Sequence, residues 1–238
     1  MSQFKIIELD SVDSTQTYVK EHPQDFTADF TTVITKEQTA GRGRGQNSWQ
    51  MQAGLDLALS TVFKPRSSEA GAIIPATVIC GYAVWQTLAP FKDGFHLKWP
   101  NDVYFETKKV AGILCEYHNG QVIIGIGTNV NSSDFGELNN RANSLKQITA
   151  EEKSINDLAN HLLFHLKSQL QSQTIPLSDE FCKAYWQASH LEGAFLEDET
   201  GKSIRAVGLN PDGSLKVKYA DGALADISSS VEVRSFSQ

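Results

Sequence analysis

Apolar and polar positions alternate along several short stretches of the chain, and this period of two predicts β-strands. These stretches are FKIIELD (4–10), FTTVITKEQ (30–38), LDLALSTVF (55–63) and FHLKWPNDVYF (95–105), the last broken by a turn at Pro100-Asn101-Asp102. The second is also rich in β-branched residues, which favour a pleated surface. A sheet built from these strands is therefore expected in the first half of the chain.

The clearest pair of strands lies in KKVAGILCEYHNGQVIIGIGTNVN (108–131). Two apolar runs flank His118-Asn119-Gly120, and Asn-Gly accepts the positive φ values of a tight hairpin turn. The second run, QVIIGIG (121–127), fits two placements. It is either an exposed edge that pairs with the same strand of a second copy, or a strand covered within the chain.

Four stretches predict helices. They are DSTQTYVKEH (13–22), a nearly all-apolar segment (71–90), a segment that begins at Ile155, and SDEFCKAYWQAS (178–189). Asp13 or Ser14 is the expected cap of the first helix. Pro75 lies near the start of the second, which we expect to be buried on all sides. From Ile155 the apolar positions return every 3.6 residues, so that helix should bury one face.

After Gly193 the pattern changes to short strands separated by EDETGK, NPDG and ADG. Turn signals at this density predict a small β-barrel over 193–235. We place a domain boundary near His190, which gives a first domain over 1–190 and a second over 191–238. The hydrophobic share of 40 % is enough for a core in such an arrangement.

Composition narrows the choice of partners. The formal net charge of −7 repels nucleic acid, so a general DNA or RNA binder is not expected. The N-terminus lacks a basic region followed by an apolar run, and no apolar run reaches the roughly 18 residues of a membrane span. Three cysteines, far apart in the sequence, suit a reducing compartment. These features predict a cytoplasmic protein without a membrane partner.

Arginines and glycines alternate in TAGRGRGQNSW (39–49). Glycine lets the backbone approach a ligand, and Arg42 and Arg44 carry fixed forks that match carboxylate or phosphate groups. The P-loop and dinucleotide fingerprints both fail here, because Gln46 follows Gly45. Two interpretations remain: an anion-binding loop of another type, or a surface turn with solvated arginines.

Three further residues or clusters also allow two interpretations each. Trp49 either pins this loop to the body of the protein or stacks on a purine ring. KWPND (98–102) is either an ordinary turn or a strand end that presents Asn101 and Asp102. Lys109 is either an edge-strand lysine or a cation that faces an anion.

Taken together, these clusters resemble biotin–protein ligases, the enzymes that attach biotin to carboxylase carrier domains. The resemblance rests on five motifs in the family's order: DSTQ (13–16), EQTAGRGRGQNSW (37–49), KWPNDVY (98–104), KKVAGILCE (108–116) and GIGTNVN (125–131). It implies an α+β fold, with a catalytic domain like that of class II aminoacyl-tRNA synthetases, a mixed sheet with helices, and a C-terminal SH3-like β-barrel.

The resemblance also implies two half-reactions. Biotin attacks the α-phosphorus of ATP to give biotinyl-5′-AMP, and a lysine of the carrier then attacks this anhydride. The expected acceptor is the biotin carboxyl carrier protein of acetyl-CoA carboxylase or a related carboxylase. ATP and biotin are substrates and Mg²⁺ is expected on the phosphates, with its ligands unassigned. A homodimer remains open.

Site residues follow from the resemblance, position by position. Lys109, Arg42 and Arg44 would be the catalytic cations. Biotin would contact Ser14, Thr15, Gln16, Gln38, Gly41, Arg42, Gly43, Arg44, Lys109, Gly112 and Leu114. ATP or the adenylate would contact Trp49, which would stack on adenine, together with Asn101, Asp102, Lys109 and Asn129.

The chain departs from the family pattern in three places. Gln16 stands where Asn usually follows Ser-Thr, so its contact is expected to be longer or lost. Gly45-Gln46 replaces the Arg-Gly of some relatives, which should make the loop more mobile. Relatives that repress transcription carry an N-terminal winged helix, and the position of the first motif predicts a ligase without DNA-binding regulation.

Two rival functions stay open from the sequence. A lipoate–protein ligase would share the catalytic fold and the adenylate chemistry, but we expect it to lack KWPND. A non-enzymatic module would use the small barrel to dock a partner and the glycine-arginine loop to grip RNA. Against that module, the sequence places only Lys36, Arg42 and Arg44 near the loop.

Overall fold

The computed structural model describes residues 4–65, 73–192, 194–198 and 200–228. Its strands are β1 (Ile6–Leu9), β2 (Thr32–Thr35), β3 (Leu57–Phe63), β4 (Phe95–Lys98), β5 (Asp102–Phe105), β6 (Lys108–His118), β7 (Gln121–Thr128), β8 (Phe195–Glu197), β9 (Ser203–Leu209), β10 (Leu215–Tyr219) and β11 (Leu224–Ile227). Its α-helices are α1 (Thr15–Glu21), α2 (Ile73–Leu88), α3 (Leu145–Thr149), α4 (Ile155–Ser172) and α5 (Asp179–Ser189).

The larger sheet has seven strands in the order β1-β2-β3-β7-β6-β5-β4. β1 and β2 run parallel, whereas every other neighbouring pair is antiparallel. The prediction of a mixed sheet with helices is confirmed. The predicted tight turn between β6 and β7 is also present, with positive φ values at Asn119 and Gly120.

β7 lies inside this sheet. Its residues pair with β3 on one side and with β6 on the other along almost their whole length. The interpretation of 121–127 as an exposed edge is therefore wrong, because both rows of backbone hydrogen-bonding groups are used within the chain. A dimer cannot form by pairing this strand across a two-fold axis.

Helix α2 covers one face of the larger sheet, helix α4 packs against α2, and both contribute to the main core. The predicted helix over 71–90 is present from Ile73 onward, and residues 71 and 72 lie outside the described part. By length and composition, Ile73–Phe91 could cross a membrane. However, 61 % of the tested window is buried within the protein, as expected for a core helix.

Helix α1 packs on the opposite face of the sheet. Val19 joins a small cluster there with Val33 and Ile123. This short helix covers only part of that face. The remaining area, over β6 and β7, holds the cleft described below.

Helix α3 was not expected from apolar periodicity, since it has only five residues. A capping box begins it: the Ser144 hydroxyl accepts from the Gln147 N–H at 3.2 Å, and the Gln147 side chain accepts from the Ser144 N–H at 3.2 Å. The Ser-x-x-Gln spacing was visible in the sequence and would have located this helix.

A separate four-stranded antiparallel sheet, in the order β11-β10-β9-β8, follows α5. Its strands agree with the predicted change of pattern after Gly193. Residues 229–235, which the sequence also assigned to this unit, lie outside the described residues. Within the described part, this small unit is a sheet that rests on α5 through β9.

Candidate active site

The cleft on the α1 face of the larger sheet has two paired glycines in its floor. Gly112 on β6 and Gly127 on β7 are direct partners in the ladder. A Cβ on Gly127 would overlap the ring of Trp49, and one on Gly112 would lie 3.2 Å from that ring. Their lack of side chains lets Trp49 lie against the sheet. Counted to its open mouth, and so including space open to solvent, the cleft encloses ≈ 450 Å³.

Neutral polar groups line the α1 end of the cleft. The N–H and the hydroxyl of Thr15 both donate to Gln38 Oε1, at 2.9 and 3.2 Å. Ser60 Oγ lies 2.9 Å from Thr15 Oγ1 and 3.0 Å from Gln16 Oε1, and its single proton serves one of them at a time. Ser14 begins α1, but its hydroxyl makes no capping bond. This wall can therefore offer donors and acceptors to an uncharged polar ligand.

Gln16 is only 2 % exposed and is held by the backbone of the sheet. Its Nε2 donates to the Ile123 carbonyl at 3.2 Å and to the Leu114 carbonyl at 3.4 Å. A Cβ on Gly125 would lie 2.7 Å from Gln16 Oε1, so this glycine provides the space for the longer side chain. The extra methylene of Gln relative to Asn is thus accommodated against β7.

Backbone hydrogen bonds close the glycine-arginine loop on itself. The Gly43 N–H donates to Asn47 O at 2.8 Å, and the Trp49 N–H donates to Gly41 O at 2.9 Å. Asn47 also donates from its side chain to Arg44 O at 3.1 Å. The loop is therefore closed into a small hairpin that carries its two arginines beside the cleft.

The two arginines of this loop have different surroundings. Arg42 Nη2 lies 3.5 Å from Glu116 Oε1, and Glu116 Oε2 lies 2.8 Å from Lys20 Nζ. Arg44 Nη1 is buried, and within the described part of the chain it has no hydrogen-bond partner. A buried guanidinium N–H without an acceptor is costly, which favours an anionic ligand at this point.

The pKa of Glu116 reflects two opposing causes. Burial raises the pKa of this carboxyl group, while the hydrogen bonds from Lys20 and Gln16 and the charges of Lys20 and Arg42 lower it. The lowering causes prevail, so the pKa lies below the ordinary value of 4.5. Glu116 is therefore ionised at neutral pH and holds Arg42 at the side of the cleft.

Lys109 reaches the cleft from the start of β6. Its Nζ lies 2.7 Å from Asp102 Oδ1 and 5.6 Å from the centre of the Trp49 ring. β6 lies between β5 and β7, so the interpretation of Lys109 as an edge-strand lysine is wrong. Its ammonium group sits over the floor glycine Gly112, where an added Cβ would meet it at 3.0 Å.

The negative charge of Asp102 also affects the pKa values of two tyrosines. Burial, with a further contribution from Asp102, raises the pKa of Tyr104 to about 12. Burial also raises the pKa of Tyr185, again with a smaller contribution from Asp102. Both phenols are therefore uncharged at neutral pH. The direct ion-pair partner of Asp102 is Lys109.

Most of the predicted site residues line one cleft: Ser14, Thr15, Gln16, Gln38, Arg42, Gly43, Arg44, Trp49, Asn101, Lys109, Gly112 and Leu114. Three predicted residues stand behind its walls. Asp102 holds Lys109. Asn129 Nδ2 donates to the Lys109 carbonyl at 3.4 Å and to the Asn143 carbonyl at 3.1 Å. Gly41 is buried where a Cβ would overlap the Trp49 carbonyl.

Sequence reasoning missed Ser60 and Glu116. Ser60 links Thr15 to Gln16, and Glu116 joins Lys20 to Arg42. Ser60 lies in the alternating run of β3, where a polar residue at a buried position was the available signal. Glu116 closes the KKVAGILCE motif, but nothing local to it indicated a partner 74 residues away.

The donors at the cleft do not fit a resident metal ion. Across the described ranges, no group of three or more His, Cys, Asp or Glu side chains is placed to hold one. Asp102 and Glu116, the two carboxylates beside the cleft, each pair with a cation. Any Mg²⁺ would therefore have to be held mainly by the phosphates of a nucleotide.

Comparison with known proteins shows which family the chain that forms this cleft belongs to. The sequence pattern of the biotin/lipoate A/B protein ligase family matches residues 8–129, which hold every predicted site residue. The chain belongs to this family.

Two curated relatives and one solved structure show the extent of the likeness. The bifunctional ligase/repressor BirA of Bacillus spizizenii is 29 % identical over 249 residues, which cover 96 % of this chain and 74 % of that protein. The biotin–[acetyl-CoA-carboxylase] ligase of Mycobacterium tuberculosis is 32 % identical over 148 residues, 60 % of this chain and 54 % of that protein. The biotin protein ligase of Aquifex aeolicus, solved with biotin and ATP, superposes with a TM-score of 0.84 at 29 % identity and covers 94 % of this chain and 96 % of its own.

Proposed function

We propose that this chain is a biotin–protein ligase, which makes biotinyl-5′-AMP from biotin and ATP and transfers biotin to a lysine of a carrier protein. One observation carries the proposal. A single cleft has uncharged hydrogen-bonding groups at one end and three cationic side chains, Arg42, Arg44 and Lys109, on its walls. Such a cleft suits a substrate with a neutral polar head and an acid group that must meet a triphosphate.

The neutral end would bind the head of biotin. Thr15 and Gln38 form a preorganised hydrogen-bonded pair there, and Ser14 and Ser60 stand beside them. The ureido group of biotin has both donors and acceptors, and it would complement this wall without any charge. The backbone of Gly112 and Leu114 would then line the path toward Lys109.

In the first half-reaction, a carboxylate oxygen of biotin attacks the α-phosphorus of ATP. A new phosphorus–oxygen bond forms, the bond to the bridging oxygen breaks, and pyrophosphate leaves with that electron pair. Lys109 and the two arginines offset the repulsion between carboxylate and phosphate, which is their main contribution. Mg²⁺ enters as the counter-ion of the ATP phosphates and is part of the substrate.

Substrate binding would exchange partners at these cations. Lys109 is held by Asp102 and Arg42 by Glu116, each at ion-pair distance. An incoming carboxylate or phosphate competes for both, while Arg44 Nη1 has no acceptor among the described residues to give up. Asp102 would thus orient Lys109 before the substrate binds, and Asn129 Nδ2 donates to the Lys109 carbonyl on the side away from the cleft.

The adenine ring would stack on Trp49. The indole ring of Trp49 lies on the two floor glycines beside Lys109. Its Nε1 is buried and has no acceptor in the described ranges. Stacking on an aromatic side chain is worth roughly 1–3 kcal/mol per base. Asn101, whose amide donates to the Ile113 carbonyl at 3.1 Å, would line the phosphate path.

In the second half-reaction, a neutral lysine amine of the carrier attacks the carbonyl carbon of the adenylate. An amide bond forms, AMP leaves with the electrons of the broken carbon–oxygen bond, and the amine loses one proton to solvent. The enzyme needs no nucleophile of its own for either step. We propose a biotin carboxyl carrier domain as the acceptor, since the M. tuberculosis relative is named as an acetyl-CoA-carboxylase ligase.

Two finer features of the fold belong to this proposal. Residues 1–190 would form a catalytic domain related to those of class II aminoacyl-tRNA synthetases, and 191–238 an SH3-like barrel. The left-handed backbone of His190, which ends α5, supports the boundary. The four antiparallel strands of the C-terminal sheet support the second assignment.

Isotope exchange between pyrophosphate and ATP tests the reaction and separates it from the lipoate alternative. We expect exchange that depends on added biotin and is absent with lipoate. Adding ATP, biotin and an acceptor carrier domain should then yield a streptavidin-reactive product. Exchange that prefers lipoate, or none with either acid, would contradict the proposal.

A further inference from the structure

The turn between β9 and β10 of the C-terminal sheet reaches into the first domain beside the cleft. Its residue Gly213 accepts a hydrogen bond at 2.9 Å from Trp99 Nε1, across 114 positions of sequence. Trp99 is 4 % exposed, so this indole N–H has little access to solvent. The bond therefore anchors one domain to the other in a buried location.

This turn is closed by internal hydrogen bonds and packs tightly against α2. The Asp212 carboxylate accepts from the Ser214 N–H at 2.9 Å and from its hydroxyl at 2.6 Å, and the Gly213 N–H donates to Asn210 O. Gly213 has φ +81°, and a Cβ there would lie 3.0 Å from the backbone of Pro75 at the start of α2. Only glycine satisfies both the backbone angle and the space.

On the other side, Trp99 is separated only by Pro100 from the residues that shape the phosphate end of the cleft. Asn101 exchanges two hydrogen bonds with Ile113, one from its side chain at 3.1 Å and one to its carbonyl at 2.8 Å. Asp102, the next residue, pairs with Lys109 at 2.7 Å. A shift of Trp99 would therefore move the carboxylate that holds the catalytic lysine.

We propose that Trp99 is a positioning residue: its indole ties the β9–β10 turn to the Asn101–Asp102 turn and so sets Lys109 for adenylation. This inference rests on the proposed function. It gives the C-terminal sheet a role in the first half-reaction, and it leaves the neutral end of the cleft beside α1 and β3, where the head of biotin would bind, outside that role.

Two variants break the link from opposite sides, and each has a matched control. Trp99→Phe removes the N–H that donates to Gly213 O. Its control is Trp85→Phe, which removes an equivalent bond away from the turn, from Trp85 Nε1 to Phe95 O at 3.0 Å. Gly213→Ala displaces the turn. Gly222→Ala imposes the same kind of strain at φ +89°, but its Cβ meets nothing within 4 Å.

We expect Trp99→Phe and Gly213→Ala each to lower kcat for biotin-dependent pyrophosphate exchange about tenfold, since small misplacements of catalytic groups are costly. The Kd for biotin should stay within about twofold, as should kcat in both controls. The double variant should lose little more than either single one, because both break the same link. Unchanged kcat, additive losses, or equal losses in the controls would overturn the inference.

A second readout needs no substrate and keeps this test separate from the proposed function. The Ile113 N–H donates to Asn101 O at 2.8 Å, so its exchange with solvent deuterium reports the Asn101–Asp102 turn. Exchange should speed up in Trp99→Phe and not in Trp85→Phe. Equal protection in the two variants would overturn the inference, whereas a wild-type protein inactive with biotin would overturn the proposed function.

Discussion

Two of the cations at the cleft each form an ion pair with one carboxylate: Lys109 with Asp102, and Arg42 with Glu116. This pairing keeps the charges in place before substrate binds, while leaving them partly exposed to a competing anion. The side chain of Lys109 is 31 % exposed and that of Arg42 is 43 % exposed. Each ion pair is thus strong enough to orient a cation and weak enough to release it.

Replacing Lys109 with alanine should reduce adenylate formation by orders of magnitude, because the main counter-charge at the acid group is lost. Pyrophosphate exchange at saturating biotin and ATP measures this. Lys108→Ala is the matched control, since the neighbouring Lys108 donates to Asn139 O on the exposed surface. Unchanged exchange in Lys109→Ala would show that this residue has no role in the chemistry.

Trp49→Ala should weaken ATP binding by roughly tenfold or more, in line with a stacking energy of about 1–3 kcal/mol, and should affect biotin less. Trp49→Phe keeps a ring over the two floor glycines and should retain most of the affinity. Calorimetric titration of each ligand into the two variants provides the measurement. Equal losses of ATP and biotin affinity in Trp49→Ala would point to a general anchoring role for the loop.

For individual residues, the sequence was enough to predict the cations and polar side chains of the site, but not their hydrogen-bond and ion-pair partners. Arg42, Lys109 and Asn101 stand in recognisable motifs, whereas Ser60 on β3 and Glu116 on β6 gain their contacts only when α1 and the glycine-arginine loop pack on the sheet. Asn129 was expected to reach the adenylate. In the structure its amide donates to two backbone carbonyls, a geometry that depends on the loop around Asn143.

At the scale of secondary-structure elements, Glu116 connects three parts of the fold. It stands on β6, pairs with Lys20 of α1 at 2.8 Å and with Arg42 of the glycine-arginine loop at 3.5 Å. Because the folded-state pKa is lower than the ordinary 4.5, this group contributes stability above that pH. The contribution is lost as the pH falls from 4.5 through the folded-state value.

Glu116→Gln should therefore lower the free energy of unfolding at neutral pH by about 1 kcal/mol or less. The difference from wild type should shrink when urea unfolding is repeated at a pH below 4.5. Glu152→Gln, which breaks the exposed pair with Lys146, is the control and should show a smaller change. A difference between Glu116→Gln and wild type that is the same at both pH values would contradict the account.

Strands and long helices followed from local pattern, while their arrangement did not. The alternation over 55–63 and the Asn-Gly turn after His118 predicted β3 and the β6–β7 hairpin. Nothing in QVIIGIG (121–127) distinguished a covered strand from an exposed edge, because the pairing of β7 with β3 joins segments distant in sequence. Helix α3 was too short for a periodic signal and needed its capping box to be recognised.

For the whole molecule, helix α5 and the β9–β10 turn join the C-terminal sheet to the larger one. The hydroxyl of Tyr185 on α5 is buried at this junction, and within the described residues it has no hydrogen-bond partner. Burial with a smaller contribution from Asp102 raises the pKa of this phenol. The group therefore stays neutral at any pH at which the protein would be assayed.

Tyr185→Phe should be neutral or stabilising, by up to about 1–2 kcal/mol, because it removes a buried polar group that lacks a partner and keeps the ring. Chemical denaturation of the variant beside wild type measures this. Tyr219→Phe serves as the contrast, since it breaks a 3.0 Å hydrogen bond to Asp198 and should be destabilising or neutral. A clear loss of stability in Tyr185→Phe would reveal a hydrogen bond that the account lacks.

In the proposed reaction, the guanidinium groups of the 41–45 loop and the amine of Lys109 converge on one reacting group. A crystal structure with a non-hydrolysable biotinyl-adenylate analogue measures this directly. We expect Lys109 Nζ and a guanidinium nitrogen of Arg42 or Arg44 to lie within about 3 Å of the link between carboxyl and phosphate. An analogue whose link touches neither Lys109 nor the loop would contradict it.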